Sequence, residues 1–93
     1  MQLLIGLPHR YFIFLLCLTD TKFLIVLGDR SKMFRLKKSM TQRELAMLCG
    51  FEKASMSGIE SGKTNITIIT LRKISKTLSV EITEFFKEKI EGC

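Results

Sequence analysis

Apolar residues recur every three or four positions between Asp29 and Ile90, which is the spacing that places them on one face of an α-helix. Polar or glycine-containing stretches divide this pattern into five short amphipathic segments. The segments are residues 29–38, residues 42–49, a segment around Met56 and Ile59, residues 68–78, and residues 82–90. The inward-facing side chains of the last segment should be Ile82, Phe85, Phe86 and Ile90. The pattern therefore predicts an all-α domain of five short helices.

Some of these helices carry sequence signals at their ends. Thr41 and Glu44 have the spacing of a capping box, in which each side chain accepts a hydrogen bond from the other residue's amide. Gly50 is placed to end the same helix in a left-handed conformation, and Thr67 is a suitable N-cap for the helix over residues 68–78. These signals predict where one helix ends and the next begins.

Two helices of about eight residues, joined by a turn that begins at a glycine, are typical of a helix-turn-helix. The second helix must cross the first at a steep angle, so a small residue is needed where they meet, and Ala46 provides it. Met56 and Ile59 would anchor the second helix on the core. Its first turn would then be free to point outward.

Composition and charge narrow the range of possible functions. The 93 residues include 15 Lys and Arg against 9 Asp and Glu, a net charge of +6, which favours a polyanionic partner. Cys17, Cys49 and Cys93 lie far apart without a CxxC pair, and the single histidine is His9, so the sequence predicts no metal site and no disulfide framework. Free thiols of this kind are typical of a reducing, cytoplasmic compartment.

The sequence contains no motif typical of a catalytic site. The chain contains no GxGxxG and no GxxxxGK[ST] glycine loop to hold a phosphate, and one isolated histidine provides no catalytic arrangement. We therefore expect neither an enzyme nor a bound cofactor.

Residues 1–27 differ from the rest of the chain, because their only fully charged side chains are Arg10, Asp20 and Lys22. We place a boundary at Gly28, with an apolar extension over residues 1–27 and a domain over residues 28–93. No small-residue cleavage site follows a basic segment, which argues against a secretory signal.

Three interpretations of residues 1–27 stay open. The β-rich runs 11–18 and 23–27, separated by a polar turn, favour a hairpin that packs on the domain or pairs with a second protomer. A second interpretation is a dispensable extension. A membrane helix over residues 11–27 is the least favoured, because Asp20 and Lys22 would each cost ~2.5–3.5 kcal/mol inside a bilayer.

The residues from Leu27 to Phe86 resemble the Cro/phage-repressor type of helix-turn-helix domain, often called the XRE family. The matching residues, as they stand in this sequence, are Arg35, Met40-Thr41-Gln42-Arg43-Glu44-Leu45-Ala46, Gly50-Phe51, Met56-Ser57-Gly58-Ile59-Glu60-Ser61-Gly62-Lys63, Asn65, Leu71, Ile74 and Leu78-Ser79-Val80. The resemblance implies a five-helix domain whose third helix lies in the major groove of double-stranded DNA.

Site residues follow from the same resemblance. Gln42 would brace the recognition helix and bond a phosphate, and Arg35 and Glu60 would form a partly buried ion pair between the first and third helices. The residues expected to contact DNA are Gln42, Arg43, Lys53, Ala54, Ser55, Ser57, Gly58, Lys63, Thr64 and Asn65, of which the last three form the loop that grips a phosphate strand.

Three residues depart from the family pattern. Glu52 stands where Ser or Thr usually caps the recognition helix, and Glu is a poorer N-cap. Gly58 lies inside that helix, at a cost of about 1 kcal/mol relative to Ala. Ser31 occupies a position of the first helix that is usually apolar. Because the base-facing side chains are short apart from Lys53, direct reading of the bases should be modest.

These observations predict a sequence-specific transcriptional regulator, acting as a homodimeric repressor. The alternative is an antitoxin-like or other protein-interaction module, for which DNA binding is secondary and the apolar N-terminus or Phe85 and Phe86 contact a protein partner.

Overall fold

The computed structural model describes residues 19–87, which form four α-helices followed by a 3-10 helix and contain no β-strand. The elements are α1 (Asp20–Lys37), α2 (Gln42–Cys49), α3 (Lys53–Glu60), α4 (Ile68–Leu78) and the 3-10 helix (Ile82–Phe86). The all-α class is confirmed. The fifth predicted helix is shorter than expected and of the 3-10 type, and Ile90 lies outside the described residues.

Helix α1 begins at Asp20, nine residues earlier than the apolar pattern predicts. The Thr19 hydroxyl oxygen accepts a hydrogen bond from the Lys22 amide at 3.2 Å. Asp20 lies in the first turn, where its negative charge interacts favourably with the positive end of the helix dipole. The strand predicted over residues 23–27 is therefore wrong, because this run is helical. The other predicted strand, over residues 11–18, lies outside the described residues.

The amino-acid composition changes at Gly28, but the helical conformation of the backbone does not. Helix α1 continues through Gly28, which is buried together with Leu27. The predicted boundary at residue 28 thus falls inside a helix, and independent folding of residues 28–93 stays a prediction. None of the helices within residues 19–87 combines the length and apolar character that crossing a membrane requires.

The core lies between the helices and is closed by the 3-10 helix. Leu45, Met56, Ile74 and Leu78 are completely buried at its centre. Phe85 is also completely buried, with its ring edge-on to Phe34 at a centroid distance of 5.2 Å. The five-residue 3-10 helix is sufficient to carry this ring into the core.

The helix ends follow the predicted signals. The Thr41 hydroxyl accepts from the Glu44 amide at 3.0 Å, and the Glu44 carboxylate accepts from the Thr41 amide at 2.8 Å, which confirms the capping box. Gly50 ends α2 with a φ of 78°, in the left-handed region. Thr67 caps α4 by accepting from the Thr70 amide at 3.1 Å.

Gly28 marks the closest approach of α1 to α3. A Cβ added at Gly28 would collide with the carbonyl oxygen of Ile59 and would lie 2.8 Å from that of Glu60, both at the end of α3. These are backbone atoms, which cannot turn aside as a flexible side chain can. The absence of a side chain at residue 28 therefore sets how closely α1 supports α3.

We expect Gly28→Ala to lower the free energy of unfolding by about 1–3 kcal/mol, because the two helices must separate. Urea denaturation followed by circular dichroism measures this change. Lys32→Ala, on the exposed side of the same helix, is the control and should stay within ~0.5 kcal/mol of the wild type. An unchanged midpoint for Gly28→Ala would contradict the proposed close packing.

Candidate nucleic-acid interface

Helix α3 is anchored on one side and open on the other. Met56 and Ile59 are buried in the core, as predicted from the spacing. Lys53, Ser55 and Ser57 are exposed, as is Ala54, whereas Gly58 is half-buried. The helix therefore presents one basic and several small polar side chains to solvent from a backbone that the core holds in place.

A buried ion pair holds the end of α3. Arg35 of α1 donates to the Glu60 carboxylate twice, from Nε to Oε2 at 2.7 Å and from Nη2 to Oε1 at 3.0 Å. The side chains of Arg35 and Glu60 are only 8% and 3% exposed. Arg35 also donates from Nη1 to the Met40 carbonyl at 2.7 Å, so all three guanidinium nitrogens have acceptors. The structure thus contains the pair that the resemblance implies, in the bidentate geometry that is strongest.

Gln42 joins the same network from α2. Its side-chain Nε2 donates to Glu60 Oε1 at 2.9 Å. The first residue of α2 is thereby connected to the last residue of α3, across the turn of the helix-turn-helix. One Glu60 carboxylate accepts from both α1 and α2, so the positions of the three helices depend on one another.

The loop after α3 is held against that helix by one carbonyl group. The Gly58 carbonyl oxygen accepts from the Ser61 hydroxyl at 3.1 Å, the Lys63 amide at 3.0 Å and the Thr64 amide at 3.3 Å. Lys63, Thr64 and Asn65 are exposed beyond it. The predicted phosphate-gripping loop thus follows α3 directly and is attached to it.

Unlike α1, α2 and α4, helix α3 begins without a side-chain cap. The Glu52 side chain makes no capping hydrogen bond, as expected for this residue type at an N-cap. It is also exposed, beside the first residue of α3. A carboxylate here both leaves an amide without a cap and adds a negative charge next to Lys53.

Burial affects one further arginine. Arg30 of α1 is buried and donates from Nη1 to the Glu84 carbonyl at 3.2 Å. Its burial lowers the pKa of Arg30 from the usual value, and the negative charges of Asp29 and Glu84 act in the opposite direction. The side chain joins α1 to the 3-10 helix. The sequence does not predict this contact, because Arg30 stands in a run of basic residues of the kind that usually lies on the solvent-exposed side of a helix.

The structure groups the predicted DNA-contacting residues on three neighbouring elements. Gln42 and Arg43 lie in the first turn of α2, five lie on α3, and Lys63, Thr64 and Asn65 lie in the loop after it. Arg43 is exposed, and Gln42 is half-buried with its amide engaged by Glu60. Their contacts with DNA stay predictions. No group of histidine, cysteine, aspartate or glutamate side chains within residues 19–87 has the geometry of a metal site.

Removing the negative charge of Glu60 tests how much the buried ion pair contributes to the free energy of unfolding. We expect Glu60→Gln to lower the free energy of unfolding by about 3–5 kcal/mol, because Arg35 is left buried without a counter-charge. Glu84→Gln is the matched control. It removes an exposed pair with Lys87 and should cost less than about 1 kcal/mol. Equal losses for the two variants, measured by urea denaturation, would rule out a special role for the buried pair.

A better N-cap at residue 52 should strengthen α3. Glu52→Ser is expected to raise the free energy of unfolding by about 0.5–1 kcal/mol, because a serine hydroxyl can accept from an amide of the first turn. Glu52→Gln removes the same charge without providing a cap, and should leave stability nearly unchanged. If both variants are stabilised equally, charge rather than capping is responsible.

Comparison with known proteins agrees with this geometry. Residues 32–85, more than half of the chain, match the family model HTH_3, described as helix-turn-helix. The HTH-type transcriptional regulator SlrR of Bacillus subtilis (strain 168) is 36% identical over 74 residues, which cover 72% of this chain and 49% of SlrR. This chain therefore spans about half the length of SlrR.

Restriction-modification control proteins are also similar. Control protein C.BamHI of Bacillus amyloliquefaciens is 36% identical over 58 residues, which cover 61% of this chain and 72% of that protein. The crystal structure of the controller protein C.AhdI from Aeromonas hydrophila superposes with a TM-score of 0.66 at 30% identity, over 68% of this chain and 96% of the other. The family match spans the capping box, the glycine turn, helix α3 and the buried ion pair. The chain belongs to the helix-turn-helix family HTH_3, of the Cro/phage-repressor (XRE) type.

Proposed function

We propose that this protein is a sequence-specific, DNA-binding transcriptional regulator that acts as a homodimeric repressor, with α3 as the recognition helix. The observation that carries the proposal is the exposed face of α3, held in position by the buried contact of Glu60 with Arg35 and Gln42. Proteins of the same family support it, since SlrR is named as a transcriptional regulator and C.AhdI as a controller protein.

Affinity and selectivity would come from different residues. Lys63 and Arg43 are exposed on the elements that flank α3, and together with the Gln42 amide and Asn65 they would contact the phosphates of a DNA duplex. Such contacts position a protein on DNA without reading its sequence. Lys53 would donate to guanine O6 or N7 in the major groove. Ser55 and Ser57 add shorter contacts, so the shape of the DNA should contribute to selectivity.

A homodimer would place two copies of α3 in successive major grooves, about 34 Å apart. Phe85 cannot contribute to a dimer or partner contact, because it is completely buried; Phe86 is half-buried, with its ring stacked on Phe23 at 6.1 Å. The predicted partner contact is therefore wrong for Phe85, which belongs to the core, and stays a prediction for Phe86. A DNA ligand and the buried free thiol of Cys49 both fit a cytoplasmic location.

A second candidate function, binding of a protein partner, is favoured by one observation. Met47 and Leu48 of α2 are 71% and 63% exposed, although both are large and apolar. They lie beside Met40 and Glu44. Neighbouring apolar side chains of this size on a small domain are typical of a protein contact.

Selection from a randomised duplex pool, followed by affinity measurements against salt, tests the proposed function. We expect enrichment of a palindrome whose half-sites lie about one helical turn apart, and two chains per duplex. Binding that depends steeply on salt without an enriched sequence would contradict sequence-specific regulation. Absence of binding at low salt would favour the protein-interaction module.

Two lysine variants separate reading of bases from contact with phosphates. Lys53→Ala should relax the preference at one position of each half-site, with a loss of about 1–3 kcal/mol for the preferred sequence. Lys63→Ala should weaken binding to all sequences alike and reduce the salt slope by about 1. Both residues are exposed, so neither change should affect folding. Equal, sequence-independent losses for both variants would refute the role of Lys53.

A further inference from the structure

On the side of α3 that faces away from the core, residue 58 is a glycine and therefore has no side chain. At 100° per residue, residues 54, 57 and 58 lie on the side of α3 opposite to buried Met56 and Ile59. Ser57 presents a short hydroxyl side chain there, whereas Ala54 and Gly58 offer no polar side-chain group, so α3 itself contributes little at residues 54 and 58. Gly58 is nevertheless half-buried, which means that another part of the chain covers it.

The group that covers Gly58 is the side chain of Thr64. A Cβ at Gly58 would lie 2.5 Å from Thr64 Oγ1, the nearest atom, and 3.8 Å from Thr64 Cβ. The Thr64 hydroxyl therefore occupies the place in which a side chain of residue 58 would begin. The hydrogen bond from the Thr64 amide to the Gly58 carbonyl, at 3.3 Å, keeps the loop residue at this place.

The Thr64 hydroxyl is available for a ligand. It makes no hydrogen bond to any group within residues 19–87, whereas the hydroxyls of Thr41, Ser61 and Thr67 are used in caps and turns. Thr64 is exposed, and it lines a groove of about 270 Å³ together with Ser55 of α3. A hydroxyl can both donate and accept, and so it can bond any base edge.

We propose that Thr64 is a specificity-determining residue, whose hydroxyl contacts a base in the major groove at the place that Gly58 leaves open on α3. Gly58 is then a positioning residue, because any side chain there would displace the hydroxyl. This inference rests on the proposed function. It differs from the expectation that Thr64 only grips a phosphate and that Gly58 itself faces a base.

The experiment uses purified variants of the 93-residue chain. It compares their base preference on the duplex selected by the wild type and on duplexes changed at each base pair in turn. Thr64→Val keeps the shape of the side chain but removes its hydrogen-bonding capacity. It should reduce the discrimination at one base pair of each half-site about three- to tenfold. The salt slope should not change, because no charge is removed. Thr64→Ser, which retains the hydroxyl, should restore the preference.

Gly58→Ala provides the independent test. The Thr64 side chain can rotate away from the added methyl group, and alanine favours a helix more than glycine does, so this variant should fold. Its loss of discrimination should fall at the same base pair as that of Thr64→Val. Combining the two changes should add little, since both remove the same contact. Thr83→Val, at an exposed threonine of the 3-10 helix, is the matched control and should have no effect.

The outcomes separate this inference from the proposed function. If the wild type selects no sequence, the proposed function fails. If it selects one, but Thr64→Val weakens all duplexes equally, Thr64 contacts a phosphate and the inference is wrong. The inference is also wrong if Gly58→Ala and Thr64→Val alter different base pairs. Thermal unfolding of each variant checks that a change in preference does not reflect a loss of structure.

Discussion

The carboxylate of Glu60 is the constraint on which the arrangement of helices depends. An eight-residue helix is too short to be stable in isolation, so α3 takes its position from its neighbours. Met56 and Ile59 provide the apolar anchor, but apolar contacts alone have little directionality. Glu60 supplies it, because its two oxygens accept from Arg35 and Gln42 at 2.7–3.0 Å. Burying a charged pair is costly, and this network offsets the cost with good geometry and with an acceptor for each Arg35 nitrogen.

The part of α1 that precedes the family match also supports the end of α3. Gly28 lets the α1 backbone approach the carbonyl groups of Ile59 and Glu60. Phe23 stacks on Phe86, and Arg30 donates to the Glu84 carbonyl, so α1 also holds the 3-10 helix. The buried Ser31 hydroxyl, by contrast, has no hydrogen-bond partner within the described part of the chain, and nothing in the structure explains its presence. The closely packed helix α1 therefore contains one buried polar group, the Ser31 hydroxyl, which reduces stability because it lost its hydrogen bonds to water on burial.

The proposed interface combines firm support with small side chains. The backbone of α3 is held by the core, by Glu60 and by the loop that bonds to the Gly58 carbonyl. The exposed positions of α3 are occupied by serine and alanine, with Lys53 as the only long side chain among them, and the half-buried Gly58 adds no side chain. In the proposed complex, such a surface would allow the DNA backbone to come close and would leave room for a loop residue to reach the groove. The uncapped start at Glu52 shows that local helix stability is not maximised there.

The sequence by itself determined the features that arise from neighbouring residues. The capping box of Thr41, the glycine turn at Gly50 and the buried pair Met56 and Ile59 follow from short-range spacing, and the resemblance to a family supplied the pairing of Arg35 with Glu60. Tertiary structure decided the rest. Residues 23–27 have the β-branched and aromatic composition of a strand, but they form a helix that packs with Leu27 and Gly28 against the end of α3. Thr64 covers Gly58 only because the loop folds back on α3. Local propensities differ by less than about 1 kcal/mol per residue, so contacts between residues distant in sequence override them.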